Sequence, residues 1–188
     1  MNVYDWDQTI YKRDSTVDFY FFELRRHPLL IRYFPLQLAG FVGYFLHIID
    51  KTKMKGLFYR YLKGIKDIDK ELALFWQGHI HNIRGYYLPI QQENDVVISA
   101  SAEFLVKPAC DMLGIRYCFG SQVDPYSGKI LGPNNHGQQK VVRFQQEGFN
   151  LEDIDGFYSD SHGDDPLACH ARHAYLVKGE KLTDWSSK

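Results

Sequence analysis

The chain opens Asn2-Val3-Tyr4-Asp5-Trp6-Asp7-Gln8-Thr9, a short β-favouring run that ends on two carboxylates one residue apart. In an open α/β sheet, ligands bind beyond the carboxyl ends of the strands, where Asp5 would stand. A carboxylate in that place can attack phosphorus. Asp7 points to the same side if the backbone stays extended, and can then give and take a proton. Two acids so close repel unless a cation joins them, so a metal is implied. Taken alone, D-x-D-x-T also reads as a solvated acidic turn.

Three further stretches carry groups of matching chemistry. Asp160-Ser161-His162-Gly163-Asp164-Asp165-Pro166 follows another apolar run. Carboxylate oxygens suit a hard divalent ion, and Mg²⁺ needs only one or two of them besides water and phosphate. Asp160, nearest the strand end, is the better ligand candidate, and Asp164 is a water-mediated or supporting one. A loop capping the Pro166 helix would look the same. Ser99-Ala100-Ser101 follows Val96-Val97-Ile98, and a hydroxyl with free backbone N–H groups at a helix start can hold phosphate oxygens. Ser101 with Glu103 is equally a cap. Lys140, after the Gly137 turn, sits at a helix start where its charge opposes the dipole, a mild penalty that a fixed anion would offset. By itself it reads as a surface lysine. Together the four give the order Asp, Ser, Lys, Asp, with three of them directly after strands.

The elements that must position these groups alternate. Strands are expected at Asn2–Asp5, Val96–Ile98, Ile115–Phe119, Gly156–Ser159 and Ala174–Val177. Helices are expected at Glu103–Leu113, Lys140–Glu147 and from Pro166, and a turn between two short strands at Val123–Leu131. This predicts an α/β fold, a doubly wound, Rossmann-like parallel sheet with helices on both faces. Between the first two strands lies an α-rich block, read as a helical cap inserted after the first strand. The division is residues 1–14 and 89–188 for the core and 15–88 for the cap. Asp14 and Ser15 fit the pocket mouth and a helix N-cap equally well.

With 45% hydrophobic residues the chain can bury a real core, and a formal net charge of −1 gives no global field for nucleic acid. Charge is unevenly spread: Lys12 to Lys66 holds 11 Lys/Arg against 4 Asp/Glu, and the rest of the chain from Asp67 holds 11 against 17. Three cysteines, Cys110, Cys118 and Cys169, without C-x-x-C spacing argue for a reduced, cytoplasmic setting. Acidic residues stand where the apolar region of a secretory leader would begin, so none is expected. Leu29 to Ile49 has the length of a membrane span, but Arg32, Pro35, Gln37 and His47 make a simple span expensive. A buried or surface-lying helix is expected instead. The cap aromatics Phe41, Tyr44 and Phe45 are expected to pack the cap onto itself. The alternative has them dip toward an anionic membrane that Arg25, Arg26, Lys51, Lys53 and Lys55 would meet.

On these motifs the chain resembles the haloacid dehalogenase superfamily, in its phosphoserine-phosphatase-like branch, over nearly its whole length. Asp5–Thr9 matches the first motif and Val97–Ser101 the second. Gly128–Leu131 with Asn135–Lys140 resembles the hairpin and third-motif lysine, and Ser159–Pro166 the fourth. The stretch Tyr158–Ser161 followed by Asp164-x-Pro166-Leu167 is also similar to bacterial phosphatidylglycerophosphatases, which act on a lipid phosphate. Gln8 and Ser159 stand where many relatives carry glycine. The resemblance implies a magnesium-dependent phosphomonoester phosphatase acting on a small metabolite such as phosphoserine. Asp5 would be the nucleophile and Asp7 the acid and base. Thr9, Ser99, Ala100 and Lys140 would surround the phosphate, and Asp5, Asp7, Asp160 and Asp164 would serve the metal. A lipid phosphate, or a binding module of the same fold without turnover, are the alternatives.

Overall fold

The computed structural model describes residues 1–186. Six strands form one sheet in the order β3-β2-β1-β4-β5-β6: β1 (Asn2–Tyr4), β2 (Val96–Ala102), β3 (Tyr117–Ser121), β4 (Gly156–Ser159), β5 (His173–Lys178) and β6 (Lys181–Asp184). The first five run parallel, as expected. β6 is an added antiparallel edge strand, turned back through Gly179 at φ +64°. Its Lys, Thr and Asp leave little apolar pattern to read.

β1 lies in the middle, Val3 opposite both Val96 and Phe157, and is wholly buried. Successive side chains of a strand point to opposite faces. Val3, Val96, Ile98 and Phe157 accordingly pack against α6 (Gln138–Gln146) and α7 (Asp165–Ala168) through Val141, Phe144 and Leu167. Tyr4 and Val97 face the other side, toward α5 (Glu103–Met112). The expected hairpin at Val123–Leu131 reduces to a single Val123–Ile130 bridge around a turn in which Asp124 accepts from the Tyr126 and Ser127 N–H groups.

The segment between β1 and β2 is helical: α1 (Ser15–Arg26), α2 (Phe34–Phe45), α3 (Lys51–Phe58) and α4 (Ile68–His79), joined by short 3₁₀ turns. Asp14, Asp50 and Asp67 cap α1, α3 and α4, each side chain accepting an N–H three residues on. The cap at Asp67 starts α4, and 3₁₀ turns take over after His79. One hydrophobic cluster runs from the sheet into this segment. Trp6 stacks on Tyr11, both meet Trp76 edge-on, and Phe75 meets Phe19. α2 and α3 lie outside it, contributing only Gln37 and Gly40 to the buried set.

Candidate active site

A cavity of about 400 Å³ opens at the carboxyl ends of β1, β2 and β4, and Asp5, Asp7, Ser99, Ala100, Lys140, Asp160 and Asp164 all line it. Strand β1 ends at Tyr4, and Asp5 keeps its N–H on the Tyr158 carbonyl at 2.9 Å, which fixes its side chain at the sheet's edge. Lys140, 1% exposed on the third residue of α6, reaches Asp5 Oδ1 at 2.8 Å and Asp164 Oδ2 at 2.7 Å. Ser159 Oγ donates to the same Asp164 oxygen at 2.8 Å. Ser159 thus stands in place of a family glycine as a further anchor of that carboxylate.

Burial acts against the charge of Lys140, but the two carboxylates overcome it and hold its pKa above the ordinary lysine value. Burial pushes Asp5 up to about 7, with Lys140 pulling the other way. Burial, then Asp14, raise Asp7 to about 6, while hydrogen bonds from Ser101 and Ser15 pull it down. The Ser15 N–H donates to Asp7 Oδ1 at 2.7 Å, and the Ser101 hydroxyl donates to Oδ2. Ser101 is bonded in turn to Thr16, 3.0 Å away. Asp7 is therefore held by β2 and by the start of α1 at once. The reading of Ser101 as a helix cap does not hold, because Ala102 occupies that position with no side-chain cap.

β2 shifts register between Ile98 and Ala102, which bends residues 99–101 over the cavity. The Ser99 oxygen accepts from the Ser101 N–H at 3.0 Å, leaving the Ser99 hydroxyl proton available for a ligand. Gly120 makes the bend possible: a Cβ there would lie 2.6 Å from the Glu103 backbone. Gln8 adopts φ +59°, the left-handed region in which glycine is unstrained.

Thr9 is the expected site residue that the structure keeps apart. It is fully buried and does not line the cavity. Its N–H donates to the Trp6 carbonyl at 3.2 Å and its own carbonyl accepts from the Tyr86 hydroxyl at 3.1 Å, so it braces the loop behind the acids. Sequence reasoning missed the rest of the cavity wall, where Thr16, Tyr59, Lys51 and Lys55 of the cap and His136 of the core stand. Lys55, which the alternative membrane reading turns outward, donates from Nζ to the Ala100 carbonyl at 2.9 Å and to Asn134 Oδ1, and burial, then Lys51, lower its pKa to about 8. The i, i+4 spacing of Lys51 and Lys55 on α3 could have signalled a shared face.

The expected packing of the cap aromatics holds for Phe41, which meets Phe58 edge-on at 6.1 Å while staying half exposed. Tyr44 and Leu46 are exposed, and Phe45 is 82% exposed. α2 is inverted: its polar Gln37 points inward, accepting from the Tyr20 hydroxyl at 2.8 Å and donating to the Phe58 carbonyl at 3.0 Å. Among the described residues no helix is long and apolar enough to cross a membrane. Cys110 and Cys118 are buried, Cys169 is exposed, and all three are free.

The donor set suits a hard divalent ion. Asp5 and Asp160 flank the cavity, burial raises the pKa of Asp160, and no Lys, Arg or His pairs with it among the described residues. Oxygen ligands with an unneutralised carboxylate are what Mg²⁺ binds.

The family model for haloacid dehalogenase-like hydrolases matches residues 3–168, and the chain belongs to that family. A histidinol-phosphatase of Neisseria meningitidis is 31% identical over 86 residues, spanning 40% of this chain and 39% of that protein. A protein of unknown function from Bordetella pertussis has a similar structure, with TM-score 0.77 at 18% identity, over 93% of this chain and 87% of that one. A phosphoserine phosphohydrolase-like protein of Francisella tularensis gives 0.57 at 14%, over 93% and 86%. A probable phosphoserine phosphatase of Vibrio cholerae gives 0.59 at 11%, over 92% and 55%. At these identities the structures establish the shared fold.

Proposed function

We propose that this chain is a magnesium-dependent phosphomonoester phosphatase that works through an aspartyl-phosphate on Asp5. The observation that carries the reading is the buried Asp5–Lys140–Asp164 chain on the floor of a cavity that Ser99 and Asp160 also line. The carboxylate of Asp5 attacks phosphorus in line while Lys140 and the Ser99 hydroxyl hold the equatorial oxygens, where phosphoryl transfer concentrates charge. Asp7, raised to about 6, keeps a proton available for the leaving alcohol and afterwards takes one from the attacking water. Asp5, Asp160 and the Asp7 carbonyl would hold Mg²⁺, which supplies charge neutralisation at the phosphoryl group. Asp164 keeps Lys140 oriented. Similarity to a histidinol-phosphatase and to phosphoserine phosphatase-like proteins supports a small phosphate ester as substrate.

The test is hydrolysis of an aryl phosphate with Mg²⁺ or with chelator, parent against Asp5→Asn. The expected loss in kcat is about 10⁴-fold or more on substitution, with little turnover in chelator. Parent-level rates in Asp5→Asn would end the reading.

A second reading, a lipid phosphate as substrate at an anionic membrane, is favoured by one observation. Leu29, Phe45 and Ile48, before, at the end of and just beyond α2, are 81%, 82% and 72% exposed, in the part of the chain with the basic surplus. Flotation with phosphatidylglycerol vesicles at low salt should carry the protein up, and Phe45→Ser with Leu46→Ser should weaken this. Absence of flotation by the parent removes the reading.

A further inference from the structure

We propose that Glu23, His27 and Glu71 form a binding site for a divalent cation of the zinc class, separate from the active site. Glu23 and His27 lie one turn apart on α1, and Glu71 faces them from the first turn of α4. A ligand atom from each falls within 4.8 Å of the others. The observation that points to a ligand is Glu23 itself. Its side chain is 0% exposed, and neither carboxylate oxygen has a hydrogen-bond partner. A buried carboxylate left in that state is costly.

The distances fit a cation better than direct pairing. His27 Nε2 lies 3.8 Å from Glu23 Oε2 and 3.5 Å from Glu71 Oε1, longer than ordinary hydrogen bonds. Ligands about 2.05 Å from a tetrahedral zinc stand about 3.3 Å apart, so the three groups would draw together to seat the ion, with water as fourth ligand. One imidazole nitrogen with two carboxylate oxygens is a donor set for zinc and its first-row neighbours rather than for magnesium. Arg26 grips Glu71, Nε to Oε2 at 2.6 Å and Nη2 to Oε1 at 3.2 Å. That fixes the Glu71 carboxylate in place. A surface cavity of about 650 Å³ lined by His27 and Glu71 offers the route in.

The experiment is equilibrium dialysis of chelator-treated full-length protein against zinc at about pH 8, with millimolar Mg²⁺ present to compete at the active site. The parent should retain one zinc more than His27→Ala, whose affinity should fall at least about tenfold, and more than the near-isosteric Glu23→Gln. Asp160→Asn should keep that zinc, which separates this site from the magnesium cluster. Zinc should raise the melting temperature of the parent and of Asp160→Asn, and leave both cluster variants unmoved. Equal zinc in parent and His27→Ala, as expected if Glu23 and Glu71 merely share a proton, overturns the proposal. So does loss of the extra zinc in Asp160→Asn.

Discussion

The floor of the active-site cavity and the outer layer of the helical segment solve opposite problems. On the floor, charged groups are buried and each is held by its neighbours: Lys140 by Asp5 and Asp164, Asp7 by Ser15 and Ser101. In the outer layer, apolar side chains of α2 stand in water while its one amide is turned inward. Buried charge and exposed hydrocarbon both cost free energy in the isolated chain. The floor balances most of its charge internally and leaves Asp160 for a cation, whereas the outer layer leaves its hydrocarbon uncovered.

Lys140→Met cuts deepest into that contrast. Removing the cation strands two buried carboxylates, so stability should fall by about 3–5 kcal/mol in denaturant titrations. Turnover of an aryl phosphate should fall about 10²–10³-fold. A variant that stays active would mean the floor is not organised around charge. Lys55→Met probes the seam between the two regions. Lys55 is lowered to about 8, so in the parent KM for an anionic ester should rise, by up to about tenfold, as pH goes from 7 to 9 and the ammonium is lost. The variant should be flat there. Linkage has its own sign: between about 8 and the ordinary lysine value of 10.5 the folded state binds fewer protons than the unfolded one, so parent stability relative to Lys55→Met should rise with pH across that window. The smallest effect concerns the join itself. Gly128 has φ +69°, and a Cβ on it would lie 2.1 Å from the Tyr59 carbonyl oxygen. Gly128→Ala should cost about 1–3 kcal/mol, read as a lower melting temperature, and raise KM more than it lowers kcat.

The parallel order of the sheet was readable because β1, β2 and β4 are apolar runs ending in chemistry-bearing residues. Seven of the expected site residues share one cavity for the same reason: each follows a strand or opens a helix at the sheet's carboxyl edge. Thr9 was misplaced because the loop after Asp7 does not stay extended. Gln8 turns into the left-handed region and sends the next residue behind the acids. The outer layer was illegible for a different reason. Hydropathy reads a buried apolar helix and an exposed one alike, and only the inward turn of Gln37 tells them apart. The Glu23–His27 spacing is local and could be seen, but its partner Glu71 arrives from another helix and leaves no local trace.

The aromatic cluster that joins Trp6 to Trp76 limits how the molecule can breathe. α1 and α4 could not lift from the sheet without wetting Trp6, Phe75 and Trp76, at about 1.5–3 kcal/mol for each ring. α2 and α3 are tied down differently, by Phe58 against Tyr20 and Tyr61 and by hydrogen bonds from Gln37 to the Phe58 carbonyl and from Lys55 to the Ala100 carbonyl. The helical segment's hold on the cavity therefore runs through an ammonium on one side and through packed rings on the other.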